Sequence, residues 1–223
     1  MIMNKEQWQK KLNVSHYVYG KNPLSFLKEN VKRLRQGKTL DVAMGEGRNA
    51  VYLASQGFEV SGFDTSQAAV DKAQNLAKEL KVNLEIKAAD LDFYLFGMLK
   101  WDTIIMSYFK PVPRYWFEIK RSLVQGGTLL IENYTTDLFH VEKDPDVDPE
   151  DCFKPNEVLK HLEELRILFY QETSINNKPV VQCLAKKPYE KDAVKYGFAT
   201  VDKKKEPGAS AQTKRAEDLF KKK

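Results

Sequence analysis

The stretch Lys38 to Asp64, KTLDVAMGEGRNAVYLASQGFEVSGFD, reads as strand, glycine turn, helix and second strand. Thr39 to Met44 is a short apolar, partly β-branched run of the kind that forms a buried strand. Gly45-Glu46-Gly47 breaks it, and Arg48 to Gln56 shows helical spacing through Val51, Leu53 and Ala54, with Gly57 as a C-cap. Phe58 to Phe63 is the next strand, ending in Asp64. A strand that turns through glycines into a helix lets the backbone approach a ligand closely and aims free N–H groups at it. Asp64 lies 17 residues after Gly47, where a strand-tip carboxylate can accept both hydroxyls of a ribose. The pairing points to a nucleoside cofactor.

Gly45-x-Gly47-x-x-Ala50 also satisfies the loose dinucleotide fingerprint. Two acids favour a cationic nucleoside over NAD. Asp41 sits inside the first strand, four residues before Gly45, where a pyrophosphate gains nothing from negative charge but an ammonium and a sulfonium do. Asp90 closes a third strand, Leu84 to Asp90, where it can accept from an adenine amino group. Both features favour S-adenosyl-L-methionine over NAD. The segment LDVAMGEGRNAVYLA, Leu40 to Ala54, resembles motif I of class I S-adenosylmethionine-dependent methyltransferases, closest to the small tellurite-resistance (TehB-like) branch. The resemblance covers roughly Tyr17 to Pro188, and Ala43 stands where many members have the motif's first glycine. It implies an α/β, doubly wound, Rossmann-like sheet of seven strands, mostly parallel with an antiparallel C-terminal hairpin. It also implies a cofactor-binding set of Tyr19, Asp41, Ala43, Met44, Gly45, Gly47, Arg48, Asp64, Thr65, Asp90, Leu91 and Ser107.

The chain has 223 residues, two cysteines (Cys152 and Cys183) and three histidines, which offer neither a zinc spacing nor a disulfide framework. No metal is expected, and both cysteines read as reduced thiols of a cytoplasmic protein. No apolar run matches a membrane helix, and the start lacks a signal core, so no membrane partner is expected. The net charge of +5 is localised: Lys186 to Lys223 carries 12 basic and 6 acidic residues, so residues 1–185 are near neutral. That suggests a lysine-rich, disordered tail, with a short helix at 213–220 as the exception. The expected layout is an N-terminal helical segment and cofactor lid at 1–37, the S-adenosylmethionine-binding domain at 38–188 and the tail at 189–223.

Taken in order, Lys5 to Leu12 and Leu24 to Arg35 are expected helices flanking Tyr17 and Tyr19, which either cover a sulfonium or pack a helix onto the sheet. Thr65-Ser66 caps a helix to Leu80. Trp101 to Tyr108 is the fourth strand, Arg114 to Val124 a helix capped by Gly126-Gly127, and Thr128 to Tyr134 the fifth strand. Thr135 to Lys154 is acidic and aperiodic, a candidate substrate lid. Asn156 to Leu165 is a helix, and Arg166 to Ser174 with Pro179 to Ala185 a closing hairpin. Tyr108, Lys110, Arg114 and His140 are candidate substrate residues, and no catalytic acid–base pair is legible. The expected reaction is methyl transfer to a small acceptor with a soft or anionic nucleophile, such as a chalcogen oxyanion or a thiol. Three alternatives stand beside it: a nucleic-acid methyltransferase using the basic tail, an NAD-linked oxidoreductase and a non-catalytic cofactor-binding module. A nucleic-acid partner is the weaker expectation; the fourth strand ends in Ser107-Tyr108-Phe109-Lys110, not the Asn/Asp-Pro-Pro-aromatic motif that grips a flipped base's amino group, which weighs against amino-group methylation alone.

Overall fold

The computed structural model describes residues 5–141 and 147–192. Seven strands form one sheet: β1 (Lys38–Val42), β2 (Glu59–Asp64), β3 (Glu85–Ala88), β4 (Trp101–Ser107), β5 (Leu123–Tyr134), β6 (Arg166–Ile175) and β7 (Lys178–Lys186). Their order is β3-β2-β1-β4-β5-β7-β6, with β7 antiparallel to both neighbours, as the sequence reading expects. The helices are α1 (Lys5–Leu12), α2 (Ser25–Asn30), α3 (Arg48–Ser55), α4 (Gln67–Glu79), α5 (Pro113–Ser122), α6 (Leu138–Val141) and α7 (Glu157–His161).

Strand alternation sends apolar side chains to both faces. Ile104, Met106, Leu129 and Ile131 join Trp116 and Ile119 of α5 and Val158 of α7 on one side. Ile105, Leu130 and Leu184 join Phe26 and Leu27 of α2 and Leu53 of α3 on the other. Strand order reverses between β1 and β4, and the crevice outside their carboxyl ends is where this architecture takes ligands.

Three local expectations are corrected. The helix expected to reach Arg35 ends at Asn30, followed by a single 3₁₀ turn over Val31–Arg33. The Asn30 carboxamide donates to the Phe26 carbonyl, a local bond that competes with continued helix. Helix α5 stops at Ser122, so Gly126 and Gly127 do not cap it but lie inside β5. Gly126 has φ +77°, and a Cβ there would fall 2.5 Å from the Tyr189 hydroxyl, while one at Gly127 would fall 2.8 Å from the Val124 carbonyl. These glycines permit a bulge under close packing. Helix α7 is shorter than Asn156 to Leu165, because Leu162 and Leu165 are reached through tight turns that bury both before β6 begins. The tail expectations, including the helix at 213–220, lie outside the described residues.

Candidate functional site

The first strand delivers Asp41 beneath the glycine turn. Asp41 is fully buried, and neither carboxylate oxygen has a hydrogen-bond partner. The Ala50 amide lies on its side but outside bonding geometry. Burial pushes this carboxyl up to about 7, with Asp64 adding to the rise and Arg48 opposing it. A buried carboxylate left without a donor is costly unless something cationic or hydrogen-bonding completes it. Ala43 adopts φ +52°, a left-handed conformation that explains why glycine suits that position. Gly45 follows at φ +56°, and a Cβ on it would meet nothing within 4 Å, so the turn's outer face is open. Gly47 differs: its Cβ would fall 2.5 Å from that of Ala73, so this glycine brings α3 against α4. Met44 is buried over Gly62, whose Cβ would lie 2.6 Å from the Met44 sulfur.

The second strand ends in Asp64, whose two oxygens accept the amides of Gly45 and Ser66, each at 2.9 Å. Burial raises its carboxyl, and the amides of Ser66, Gly45 and Thr65 oppose the rise. A carboxylate offers about four lone-pair sites, so Asp64 keeps acceptor capacity beyond these amides. The adjacent Thr65 hydroxyl is buried without a partner. An open cleft of about 630 Å³ runs past Thr65, Gln67 and Ala88 to Gln9, Lys10 and Asn13 of the N-terminal segment. Gln9 accepts from the Ser66 hydroxyl at 3.0 Å, fixing α1 at this rim. Asp90 is exposed beyond β3 and accepts the Asp92 amide at 3.1 Å, opening a 3₁₀ turn at the half-buried Leu91.

The residue between the two glycines holds the N-terminal segment. Glu46 is buried, accepts the amides of Val18 and Tyr19 at 3.0 Å each, and pairs with Lys72 at 2.6 Å. Arg48 donates to the Tyr19 carbonyl, and Asn49 ties the Leu24 amide to the Ser107 hydroxyl, both at 3.0 Å. Of the two tyrosines, Tyr17 packs beside Val51, Leu76 and Ala77 and donates to the Lys72 carbonyl, whereas Tyr19 is 40% exposed. Tyr17 thus follows the packing reading.

Across the crevice, Tyr108 sits at φ +50° and donates from its hydroxyl to the buried Glu132 at 2.9 Å. Burial and Glu132 hold that hydroxyl protonated well above the ordinary tyrosine range. Gln182 donates to the other Glu132 oxygen at 2.7 Å. Lys110 donates to the Cys152 carbonyl at 2.8 Å and pairs with Glu157 at 3.0 Å, so it anchors the segment after Thr135. Arg114 is paired with Asp92 on the surface, and His140 is exposed on α6. The chain thus gathers Asp41, Ala43 to Arg48, Asp64, Thr65 and Ser107 around one turn, and leaves Arg114 and His140 away from it.

Sequence reasoning missed Glu46, Asn49 and the Glu132–Gln182 pair. Their signals were present: an acid between two glycines, a polar residue on the buried face of α3, and an acid ending an apolar strand. Among the described residues no group of His, Cys, Asp and Glu side chains could hold a metal, and no helix is long and apolar enough to cross a membrane.

A family model described as a methyltransferase domain matches residues 39–127. Hemagglutinin 1 of Eikenella corrodens is 34% identical over 68 residues, which is 30% of this chain and 23% of that protein; the chain spans less than a quarter of that curated relative. TehB from Haemophilus influenzae shares 21% identity at a TM-score of 0.62, covering 82% of this chain and 66% of that one. A SAM-dependent methyltransferase from Aquifex aeolicus shares 20% identity at a TM-score of 0.60, covering 82% and 98% respectively. The arrangement of strands and helices is that of the class I methyltransferase fold.

Proposed function

We infer that this chain, with a methyltransferase domain at residues 39–127 and the class I fold, is an S-adenosylmethionine-dependent methyltransferase acting on a small acceptor with a soft or anionic nucleophile. The observation that carries the cofactor reading is Asp41, a buried carboxylate without a partner under an open glycine turn. It suits a cofactor bearing an ammonium and a sulfonium, and does not suit a pyrophosphate.

When bound, S-adenosylmethionine supplies an electrophilic methyl group and departs as a neutral thioether, so no proton donor is required of the protein. The remaining acceptor positions of Asp64 would take the ribose hydroxyls, and the unpartnered Thr65 hydroxyl lies beside them. Ala43, Met44, Gly45, Gly47 and Arg48 would form the turn's contact surface, Asp90 and Leu91 the adenine side, and Tyr19 and Ser107 the rims. Glu46 and Asn49 hold the Val18 to Leu24 segment down, and Lys110 holds the segment at Cys152, so both sides of the crevice are fastened against water. Transfer from a sulfonium depends mostly on proximity and desolvation, which these fastenings serve. A thiolate or chalcogen oxyanion needs no general base. Tyr108, next to Ser107, stands as the proposed substrate-side residue; Lys110 is engaged by Glu157 and the Cys152 carbonyl, and Arg114 and His140 lie away from the turn.

The test is an acceptor screen read by S-adenosylhomocysteine release, with thiols and oxyanions of selenium and tellurium as probes. Turnover on such a small acceptor supports the reading; methyl incorporation into tRNA or duplex DNA, with none into small acceptors, overturns it.

A further inference from the structure

The connector between β3 and β4 presents large apolar side chains to solvent. Phe93 is 85% exposed, Leu95 88% and Met98 61%, and Phe117 on α5 adds a fourth at 51%. These side chains share one surface because α5 is tied to both ends of the connector. Arg114 pairs with Asp92 at 2.6 Å, and the Leu99 amide donates to the Arg121 carbonyl at 3.1 Å. Arg114, Phe117 and Arg121 follow helical spacing along one face, and the Arg121 guanidinium lies 5.7 Å from the centre of the Phe117 ring. Phe117 therefore stands between the two ties, alongside the connector.

The exposure is built in. Tyr94 stacks on Phe63 at 3.9 Å, Phe96 is buried, and the Trp101 indole donates to the Phe96 carbonyl at 2.9 Å. Alternate residues are thus pinned inward, which holds Phe93 and Leu95 outward in a fixed arrangement. A pre-ordered apolar face loses little entropy when it is covered.

We propose that this face is the contact between two copies of the chain. Its exposed side chains offer on the order of 500–600 Å² of apolar surface, the upper end of what monomers leave uncovered. Two such faces together reach roughly the lower bound for a specific interface. The framing charges, Asp92 with Arg114 and Glu118 with Arg121, are already paired within the chain. A face whose charges cancel can meet itself across a twofold axis without like-charge repulsion. A membrane or nucleic-acid partner would instead select a basic rim.

Sedimentation of the full chain over a range of concentrations tests this. The expected result is a concentration-dependent dimer for the wild type. Leu95→Glu and Phe117→Glu each place a new charge on the contact twice, and each should weaken the dimer by at least about tenfold. The thermal midpoint measured at concentrations too low for dimer, and S-adenosylhomocysteine binding, should stay unchanged, and Phe93→Ser repeats the test without adding charge. A wild-type monomer at every concentration overturns the proposal, as does a dimer indifferent to all three variants. Open-ended growth of assemblies also overturns it, as does binding to anionic vesicles that Leu95→Glu abolishes.

Discussion

Glu46 and Lys72 lie 2.6 Å apart, with 1% and 13% of their side chains exposed. The same carboxylate accepts two amides from the N-terminal segment, so one residue of the glycine turn joins that segment to α4. Glu46→Ala removes an acceptor from both amides and leaves the Lys72 ammonium half-buried without its counter-ion. Breaking such a pair is expected to destabilise by about 3 kcal/mol. Thermal melts should show the loss, and amide exchange at Val18 and Tyr19 should speed up more than exchange in β4.

Asp41 gives the protein a pH dependence of definite sign. Its carboxyl is raised from 3.8 to about 7 by burial. Between those values the folded state holds a proton that the unfolded state has lost, so this group's contribution to stability declines as pH rises from about 4 to about 7 and is level above. Asp41→Asn removes the dependence. It should raise stability at pH 8, by up to about 4 kcal/mol, with the advantage shrinking toward pH 4. The same variant should bind S-adenosylhomocysteine more weakly, since it no longer offers charge to the ammonium. Urea melts at pH 5 and pH 8 check the first point, and calorimetry the second.

The two glycines of the turn should separate in their effects. Gly45→Ala places a methyl group in open space at φ +56°, so stability should fall by only about 1 kcal/mol, the cost of the left-handed conformation. Cofactor affinity should fall further, because that methyl group points to the ligand side. Gly47→Ala drives a Cβ to 2.5 Å from that of Ala73 and should lower stability more than affinity. Ala43→Gly, at φ +52°, should stabilise by up to about 1 kcal/mol once left-handed strain is relieved. Melting curves beside binding isotherms for the three variants check the pattern.

The sheet and turn were legible because their signals are local: apolar runs of strand length, glycines at the break, an acid at the next strand's tip. Asp41 could be singled out from sequence because an acid inside an apolar strand breaks the pattern. Glu46, Asn49 and Glu132 were not assigned, since each works through partners 24 to 58 residues away, such as Val18, Ser107 and Gln182. Lys110 read as a cation for substrate, but its sequence gave no sign of Glu157, which pairs with it across the sheet end. Gly126 and Gly127 followed an apparent helix and read as a cap; their role depends on the local bulge at Val124 and on Tyr189, which only the fold brings near.

The most direct test is calorimetric titration of S-adenosylhomocysteine and NADH into the wild type and Asp64→Asn. Asparagine is chosen because it keeps one of the two acceptor oxygens that the Gly45 and Ser66 amides use, whereas alanine would strip both and disturb the turn further. The expected result is S-adenosylhomocysteine binding to the wild type, weakened about ten- to a hundredfold in the variant by loss of charge-assisted bonds to the ribose, and no response to NADH. Tight NADH binding that the substitution abolishes, with no response to S-adenosylhomocysteine, would contradict it.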